Sequence, residues 1–457
     1  MQDVKGETTE LTVEKVSSDG SGIARSAGGV VFVSGALPGE VVEAEITQRK
    51  RDFALARVVR LKKAHPQRVA PACPVFGVCG GCQLQHASRE LQLEIKAGIV
   101  RDALTRIGGI DLCKAGFPDI ACIPGPQQWG YRNKASFPIR KIRGKPVAGF
   151  YQALSHRLVQ LESCPVNAEP LNRLFAIVQR ELPGLSLDVY DEREHRGALR
   201  HLILRSGLHT GETLVSLVVN GRLNAAKMKS LMGLCRSLKN VTTLTLNHNS
   251  RPGNVILGDR TEVLRGNGTI TERLDEWALR CDTTSFFQVN TEQAAALYRH
   301  VRELAQESGT ILELYSGVGS LSCYLSGTFS GSVKSVTAVE EWSGAVELMK
   351  ENLKNNGVTN VLPLCGRAEE VMMNLREGYD AVVLDPPRGG CDRVVAEKIL
   401  ELRPARVLYV SCNPATLARD VKILSSQGDY GLKSVRAFDM FPQTVHVETV
   451  VLLERVR

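Results

Sequence analysis

The last third of the chain alternates short apolar runs with amphipathic segments, and no other feature limits the possible folds as strongly. From residue 310 onward, runs such as TILEL, SVTAVE and ARVLYVS have the character of strands, and each precedes a segment with helical spacing or a helix start. This alternation predicts a doubly wound, mostly parallel sheet with helices on both faces. The final run, VETVVLLERV, predicts an antiparallel finish, which most dinucleotide-binding folds lack.

A glycine turn follows the first predicted strand of this region. In ELYSGVGS, Gly317 and Gly319 stand at the carboxyl end of the strand, where open α/β sheets bind ligands. Glu340 closes the second strand, where a carboxylate can accept both hydroxyls of a ribose. NAD is the competing ligand, but Ser322 stands where a dinucleotide fold usually has its third glycine. We therefore expect S-adenosylmethionine, with NAD as the alternative.

An acid followed by two prolines closes the fourth predicted strand. Asp385 stands in LDPPRGG, where the prolines end the strand and hold the acid at the mouth of the pocket. An ordinary turn before proline would explain the same residues. Methyltransferases that act on exocyclic amines have an aromatic residue after such a motif, whereas this chain has Arg388. The motif therefore argues against an amine substrate.

Cys412 is the candidate nucleophile. It follows the next strand, in YVSCNP, on the same rim as the glycine turn, and a helix begins just after it. A helix N-terminus lowers the pKa of a thiol, although a buried structural cysteine is the plainer alternative. C5 of a pyrimidine needs such a nucleophile, because thiolate addition at C6 makes C5 reactive and a base must later remove the C5 proton. Glu448, in an otherwise apolar run, is the candidate base, and His446 is the other.

The first 64 residues have the pattern of a small β-barrel. Short β-branched runs are separated by turns rich in glycine and proline, which predicts four or five strands of the oligonucleotide-binding type. Between residues 49 and 68 there are eight basic residues and one acid. Because this basic run falls on and after the last strand, we expect the barrel to contact RNA; a barrel that binds nothing is the alternative. The basic residues are Arg49, Lys50, Arg51, Arg57, Arg60, Lys62, Lys63 and Arg68.

The middle of the chain, residues 65–275, gives fewer signals. A helix is predicted over residues 88–107, and the remainder mixes strand and helix signals without a clear period, as in an α/β domain. Four cysteines in this segment form a candidate metal-binding set, which we call the cysteine group. By ligand type alone they would suit zinc or an iron–sulfur cluster equally well. The group comprises Cys73, Cys79, Cys82 and Cys164.

Bulk properties restrict the class of protein. A chain of 457 residues predicts two or three domains, and 43% hydrophobic with 23% charged residues is normal for a folded protein. The polar N-terminus and the lack of an apolar run of membrane-spanning length predict a cytoplasmic protein without a membrane segment. The 12 cysteines are therefore expected to be thiols, metal ligands or nucleophiles.

Five motifs together resemble the RNA uracil-5-methyltransferase family: ELYSGVGSLS, FFQVN, LDPPRGG, YVSCNPATLARD and DMFPQTVHVE. The resemblance implies transfer of a methyl group from S-adenosylmethionine to C5 of a uridine in RNA. It implies Cys412 as the nucleophile and Glu448 as the proton acceptor. The cofactor contacts that it implies are Gln288, Tyr315, Glu340 and Asp385.

The resemblance also implies an organisation and a substrate. The expected multidomain α/β chain has an OB-like barrel of the TRAM type (1–64), a central iron–sulfur and RNA-binding domain (65–275) and a Rossmann-like class I methyltransferase domain (276–457). The cysteine group would hold a [4Fe–4S] cluster, and the substrate would be 23S rRNA, bound by a monomer. The alternatives are a tRNA uridine methyltransferase, a methyltransferase for cytosine or an amine, and a non-catalytic RNA-binding iron–sulfur protein.

Overall fold

A closed five-stranded barrel forms the N-terminal part of the molecule, as predicted. The structure is a computed structural model that describes residues 7–327, 333–375, 378–426 and 428–456. Inward-facing side chains alternate with exposed ones along the barrel strands, and the inward set forms a core of its own. The strands, in the spatial order β1-β2-β3-β5-β4, are β1 (Thr8–Val16), β2 (Gly22–Ser26), β3 (Gly29–Ser34), β4 (Val41–Arg49) and β5 (Phe53–Lys63).

A six-stranded sheet, ordered β14-β13-β12-β11-β7-β8, dominates the middle of the chain. Helices α2 and α3 pack their apolar sides onto it, and the rings of Phe137 and Phe175 lie 4.4 Å apart in that core. In chain order the elements are α1 (Arg89–Arg106), β6 (Cys122–Ile123), β7 (Lys134–Ile142), β8 (Lys145–Ala148), β9 (Phe150–Tyr151), β10 (Leu158–Val159), α2 (Glu169–Glu181), a 3₁₀ turn (Leu182–Gly184), β11 (Leu199–Ser206), β12 (Thr213–Val219), α3 (Ala225–Ser237), β13 (Thr243–His248), β14 (Arg260–Arg265), β15 (Thr269–Leu274) and β16 (Trp277–Asp282).

The C-terminal part is the doubly wound sheet that the sequence predicts. Strands β17 to β21 pair in parallel, whereas β23 runs antiparallel to β21 and β22, and hydrophobic cores lie on both faces. The spatial order is β19-β18-β17-β20-β21-β23-β22-β6. The elements are α4 (Thr291–Ala305), β17 (Thr310–Leu314), α5 (Ser320–Ser326), β18 (Ser335–Glu340), α6 (Ser343–Asn355), β19 (Val361–Cys365), α7 (Ala368–Asn374), β20 (Ala381–Leu384), α8 (Arg393–Leu402), β21 (Arg406–Ser411), α9 (Pro414–Ser425), β22 (Tyr430–Phe438) and β23 (Glu448–Arg455).

Helix α1 and strand β6 come from the middle of the sequence but join the C-terminal layer. The Ser88 hydroxyl caps α1 by accepting the Leu91 N–H, and Val100 and Leu104 enter the core beneath α9. Strand β6 extends the sheet by pairing in parallel with β22. The domain limits at residues 64 and 275 remain a prediction, because these two elements connect the middle segment to the last one.

Within the described ranges, no helix is both long and apolar enough to cross a bilayer.

Candidate active site

One cavity of about 1020 Å³ opens at the carboxyl ends of the parallel strands. This volume is of the size that small-molecule sites have. All six predicted catalytic and cofactor-binding residues line it, although they are scattered over 160 positions of the sequence, a span of about a third of the chain. The structure thus brings the predicted set together, and the individual roles stay predictions. The six are Gln288, Tyr315, Glu340, Asp385, Cys412 and Glu448.

The two glycines of the turn after β17 serve different purposes. Gly317 and Gly319 both have positive φ, 57° and 81°, and Tyr315 before them also lies in the left-handed region at 65°. A Cβ on Gly319 would lie 2.5 Å from Cγ of Met349, so close packing of α6 excludes a side chain there. A Cβ on Gly317 would meet nothing within 4 Å. Only Gly317 therefore leaves open space on the side of the cavity.

Glu340, at the end of β18, is fixed by two backbone donors. Its carboxylate accepts the N–H of Gly317 at 3.0 Å and the N–H of Trp342 at 2.9 Å. These bonds hold both oxygens at the wall of the cavity, and each oxygen keeps a further lone pair. The carboxylate therefore presents free lone pairs to the cavity, and its predicted role as the acceptor of ribose hydroxyls stays a prediction.

Two interacting carboxyl groups line the cavity, the buried Glu448 and the half-buried Asp385. Burial raises the pKa of Asp385 to about 7. Burial, and then the charge of Asp385, raise the pKa of Glu448 well above its usual range, while the Arg388 guanidinium opposes the shift. Among the described residues, no polar group pairs with the buried Oε2 of Glu448. A buried acceptor without a partner inside a cavity is available to a ligand.

The pKa of Cys412 is raised rather than lowered, so the sequence-based prediction of an activated resting thiol is wrong. Burial raises it to about 11, and the carboxylates of Glu448 and Asp385 add to the shift, whereas Arg388 lowers it. The helix α9 does begin at this point, but its N-terminal Ala415 N–H is capped by the side chain of Asn413. Burial and two acidic neighbours therefore outweigh the effect of the helix terminus.

Some lining residues were not assigned a role from the sequence. Phe286, two positions before Gln288 in FFQVN, lines the cavity with 65% of its surface exposed. Beside the cavity, on β17, burial raises the pKa of Glu313 to about 8, and its carboxyl group accepts the Ser322 hydroxyl at 2.5 Å. The signal for Glu313 was available, since an acid within the apolar run TILEL is as unusual as Glu448. The alternative base, His446, also lines the cavity, and burial lowers its pKa to about 4.

The cysteine group lines a second cavity, of about 430 Å³, that adjoins the first. The two cavities share Arg388, Phe441 and His446. All four thiols are free, and burial raises the pKa of Cys82 to about 12, with the other three sulfur atoms adding to the shift. Four free thiols on one cavity are a suitable donor set for a thiolate-bound metal. Nevertheless, in the part of the chain that the structure describes, no group of three or more Cys, His, Asp or Glu side chains is arranged to hold a metal ion, so the predicted metal centre is not confirmed.

Comparison with known proteins agrees with this site. Residues 127–456 match the tRNA (Uracil-5-)-methyltransferase family, and residues 2–59 match the TRAM domain. The first match covers most of the chain. The protein belongs to the uracil-5-methyltransferase family. It is therefore an RNA methyltransferase that depends on S-adenosylmethionine, and the predictions of the family, of the TRAM barrel and of the cofactor are confirmed.

Several relatives match this methyltransferase along its whole length. An uncharacterized RNA methyltransferase of Gloeobacter violaceus is 41% identical over 99% of this chain and 97% of that protein. Another, from Halalkalibacterium halodurans, is 38% identical over 98% and 97%. Among solved structures, the Pyrococcus abyssi tRNA (uracil-54, C5)-methyltransferase in complex with S-adenosyl-L-homocysteine superposes with a TM-score of 0.74 at 27% identity, covering 97% of this chain and 100% of that one.

Proposed function

We propose that this enzyme methylates C5 of a uridine in RNA through a transient bond between Cys412 and C6 of the ring. The observation that carries the proposal is the pairing of Cys412 with the buried Glu448, whose Oε2 lacks a partner among the described residues, in one cavity with the glycine turn. A thiol and a carboxyl group are the two functions that this reaction requires of the protein. S-adenosylmethionine supplies the methyl group.

In the proposed reaction, the Cys412 thiolate adds to C6, and the electrons of the C5–C6 double bond move to the C4 carbonyl oxygen. C5 then attacks the methyl carbon of S-adenosylmethionine, the carbon–sulfur bond breaks, and S-adenosylhomocysteine is the leaving group. Glu448 removes the remaining C5 proton, the double bond reforms, and the Cys412–C6 bond breaks. Arg388 lowers the pKa of both Cys412 and Glu448, and so favours the charged forms that attack and accept the proton.

The cofactor is proposed to lie against the four residues that the family resemblance implies. Glu340 would accept the ribose hydroxyls, because its carboxylate is already fixed by Gly317 and Trp342. Tyr315 directly follows strand β17, while Gln288 and Asp385 line the same cavity. This arrangement leaves the side of Cys412 and Glu448 for the pyrimidine.

The proposed substrate is 23S rRNA, on the basis of the N-terminal barrel and the cysteine group. A tRNA substrate is the second candidate, and a specific observation favours it. The tRNA methyltransferase of Pyrococcus abyssi covers 97% of this chain, so a similar overall architecture occurs in an enzyme named for tRNA. Mass spectrometry of 5-methyluridine in rRNA and tRNA from a strain without the gene would distinguish the two, since the lost modification identifies the substrate.

We also propose that the cysteine group holds a [4Fe–4S] cluster, with zinc as the competing occupant. The support is the chemistry of four free thiols on one cavity and the family resemblance. Iron, sulfide and zinc analysis of anaerobically purified protein tests this directly. Cys82→Ser should abolish iron binding, whereas Cys365→Ser, an exposed cysteine outside the group, should retain it. Stoichiometric zinc without sulfide would contradict the cluster.

The catalytic proposal is tested with RNA that contains 5-fluorouridine. Fluorine cannot be removed as a proton, so the bond to the enzyme should persist and appear as a slow band under denaturing conditions. Cys412→Ala should form no such band, while Cys391→Ala, a second cysteine on the cavity, should form it normally. Glu448→Gln should accumulate a similar band with ordinary uridine. A band from Cys412→Ala would refute the covalent mechanism.

A further inference from the structure

A surface of the middle segment carries a strong excess of positive charge. Residues 131–160, which include β7 to β10, contain seven lysines and arginines and no aspartate or glutamate. Such a surface attracts a polyanion. Within the described ranges, four of these cations are exposed and have no ion-pair partner, namely Lys141, Arg143, Lys145 and Arg157.

Aromatic rings are stacked on this surface. The rings of Tyr151 and His156 lie 5.1 Å apart and within 17° of parallel, and the Arg140 guanidinium lies 5.3 Å from the centre of the Tyr151 ring. The side chain of His156 is 59% exposed, and Leu154 at the turn between them is fully exposed. Arg140 also donates to the Tyr151 hydroxyl, so it holds that end of the ring, and the Tyr151–His156 stack ends in the exposed His156 ring, on which a nucleobase can stack.

One acid belongs to this stack. Glu192 pairs with Arg140, and one of its oxygens lies 2.8 Å from Nδ1 of His156. These contacts fix the edge of the His156 ring and leave the ring itself largely exposed. The acid thus orders the ring before any ligand binds, which lowers the entropic cost of binding.

The stack is connected to the catalytic cavity. A third cavity, of about 530 Å³, is lined by Tyr151 and His156. It shares Gly80, Gly81 and Phe150 with the cavity of the cysteine group, which in turn adjoins the one that contains Cys412. The three cavities are therefore neighbours linked by shared lining residues, and the middle one is the proposed cluster site.

We propose that the His156–Tyr151 stack binds an unpaired base of the substrate RNA while the target uridine lies beside Cys412. A base within a duplex is already stacked on both faces, whereas an unpaired one can be placed on an exposed ring. The site therefore selects a target uridine in a single-stranded loop whose neighbours are also unpaired. This inference rests on the proposed function, because it takes the Cys412 cavity as the position of the target.

The test uses the full-length enzyme and three variants of the exposed ring. His156→Ala removes the ring, His156→Phe keeps an aromatic ring, and His156→Lys places a cation there without a ring. The probe is a single-stranded RNA with one target uridine, in which each flanking nucleotide is replaced in turn by 2-aminopurine, whose fluorescence falls on stacking. We expect quenching at one flanking position with the wild type and with His156→Phe, and none with His156→Ala or His156→Lys.

Affinity and kinetics give a second measurement. Loss of one base–aromatic stack should raise the KM for RNA roughly five- to hundred-fold in His156→Ala, with little change in kcat. Wild-type KM in His156→Ala, or equal weakness of the Phe and Ala variants, would overturn the inference. The inference would also be overturned if the wild-type enzyme bound the single-stranded RNA and its duplex with the complementary strand equally well. The 5-fluorouridine band separates the two proposals. If the wild-type enzyme forms the band but the His156 variants bind RNA normally, only this inference fails. If the wild-type enzyme forms no band, the proposed function fails.

Discussion

At the scale of single residues, the catalytic cavity brings three acidic groups close to one cation. Cys412, Asp385 and Glu448 lie together, and burial raises the pKa of each, with neighbouring negative charge adding to the shifts at Cys412 and Glu448. Arg388 is the positive group that opposes those two shifts. The resting enzyme therefore holds its nucleophile as a thiol. The positive charge of a bound sulfonium would lower the thiol pKa further, so activation should accompany cofactor binding.

The first prediction concerns Arg388. Because the pKa of Cys412 is about 11 in the resting cavity, the rate of methyl transfer should rise with pH through the neutral and mildly alkaline range. Arg388→Gln should raise the pKa of the Cys412 thiol and so move the increase in rate to higher pH. At any pH below the pKa, an increase of about one in the thiol pKa lowers the thiolate fraction, and with it the rate, about 10-fold. Single-turnover rates across pH measure the effect, with Arg388→Lys as the control that keeps the charge. A Gln variant with the wild-type pH profile would show that the cation does not act on the thiol.

The second prediction concerns Glu313. Its pKa is raised from 4.5 to about 8 in the folded protein, so the fold favours the neutral acid. The stabilising contribution of the neutral form is fully present below pH 4.5 and is lost as the pH rises through about 8. Glu313→Gln keeps a neutral side chain at every pH. We expect denaturant unfolding at pH 9 to show the variant to be more stable than the wild type, with a smaller difference at pH 6. Parallel stability curves for the two proteins would contradict the shift.

At the scale of elements, the loop between β22 and β23 is held from several sides. The Tyr131 hydroxyl donates to the Pro442 carbonyl at 2.9 Å, and the Gln92 side chain exchanges hydrogen bonds with Gln443. Gln443 itself has a φ of 72°, an unusual backbone conformation for a residue with a side chain. Since Glu448 begins the next strand, these contacts from the middle segment determine where the proposed base lies.

The third prediction addresses the buried ion pair in this loop. Lys96 of α1 is fully buried and pairs with Asp439, and it also donates to the Phe441 carbonyl at 3.0 Å. Lys96→Met leaves Asp439 buried without a partner and should lower the free energy of unfolding by about 3–5 kcal/mol. The double variant Lys96→Met/Asp439→Asn should recover part of that loss. Denaturant unfolding of both variants measures it, and equal stability of the single variant and the wild type would contradict the role of the pair.

The sequence predicted elements well where their hydrophobic pattern is local. The C-terminal strands, α1 and the barrel have clear periods, and strand ends in a parallel sheet meet at one edge, so Cys412 and Glu340 could be placed on one rim. Strands β11 and β12 of the central sheet are buried along their whole length, which removes the alternation that marks a strand. The pKa of Cys412 could not be predicted either, because its acidic neighbours come from other strands.

At the scale of the whole molecule, the barrel is attached to the catalytic part by apolar packing. Val16 and Leu37 of the barrel segment share a hydrophobic core with Leu91 and Ile95 of α1, whose opposite side packs beneath α9. Deleting residues 1–64 would expose this face of α1 as well as remove the barrel. Point variants on the barrel surface are therefore the cleaner way to measure its contact with RNA.

The barrel carries fewer available charges than its sequence indicated. Four members of the basic run are paired with acids of the barrel segment: Arg49 with Glu7, Arg57 with Glu45, Lys62 with Glu10 and Arg68 with Glu40. A paired cation gives less attraction to a phosphate, because its charge is already partly neutralised. In the described ranges, Arg60 and Lys63 of strand β5 have no ion-pair partner. The RNA contact predicted for this strand should therefore depend on Arg60 and Lys63, whose charges are not paired with acids among the described residues.

The fourth prediction compares these two sets on strand β5. The double variant Arg60→Gln/Lys63→Gln should weaken RNA binding and flatten its dependence on salt by roughly 0.7 in log–log slope for each lost phosphate contact. Arg57→Gln/Lys62→Gln removes the same two positive charges and also leaves Glu45 and Glu10 without their ion-pair partners. If only the net charge of the barrel mattered, this variant would weaken RNA binding at least as much as the first. Binding isotherms at several salt concentrations separate the cases. If RNA affinity falls only in Arg60→Gln/Lys63→Gln, these two residues contact the RNA directly. If it falls equally in both double variants, the barrel attracts RNA only through its net charge. If neither variant changes the affinity, the barrel is a structural element that supports α1.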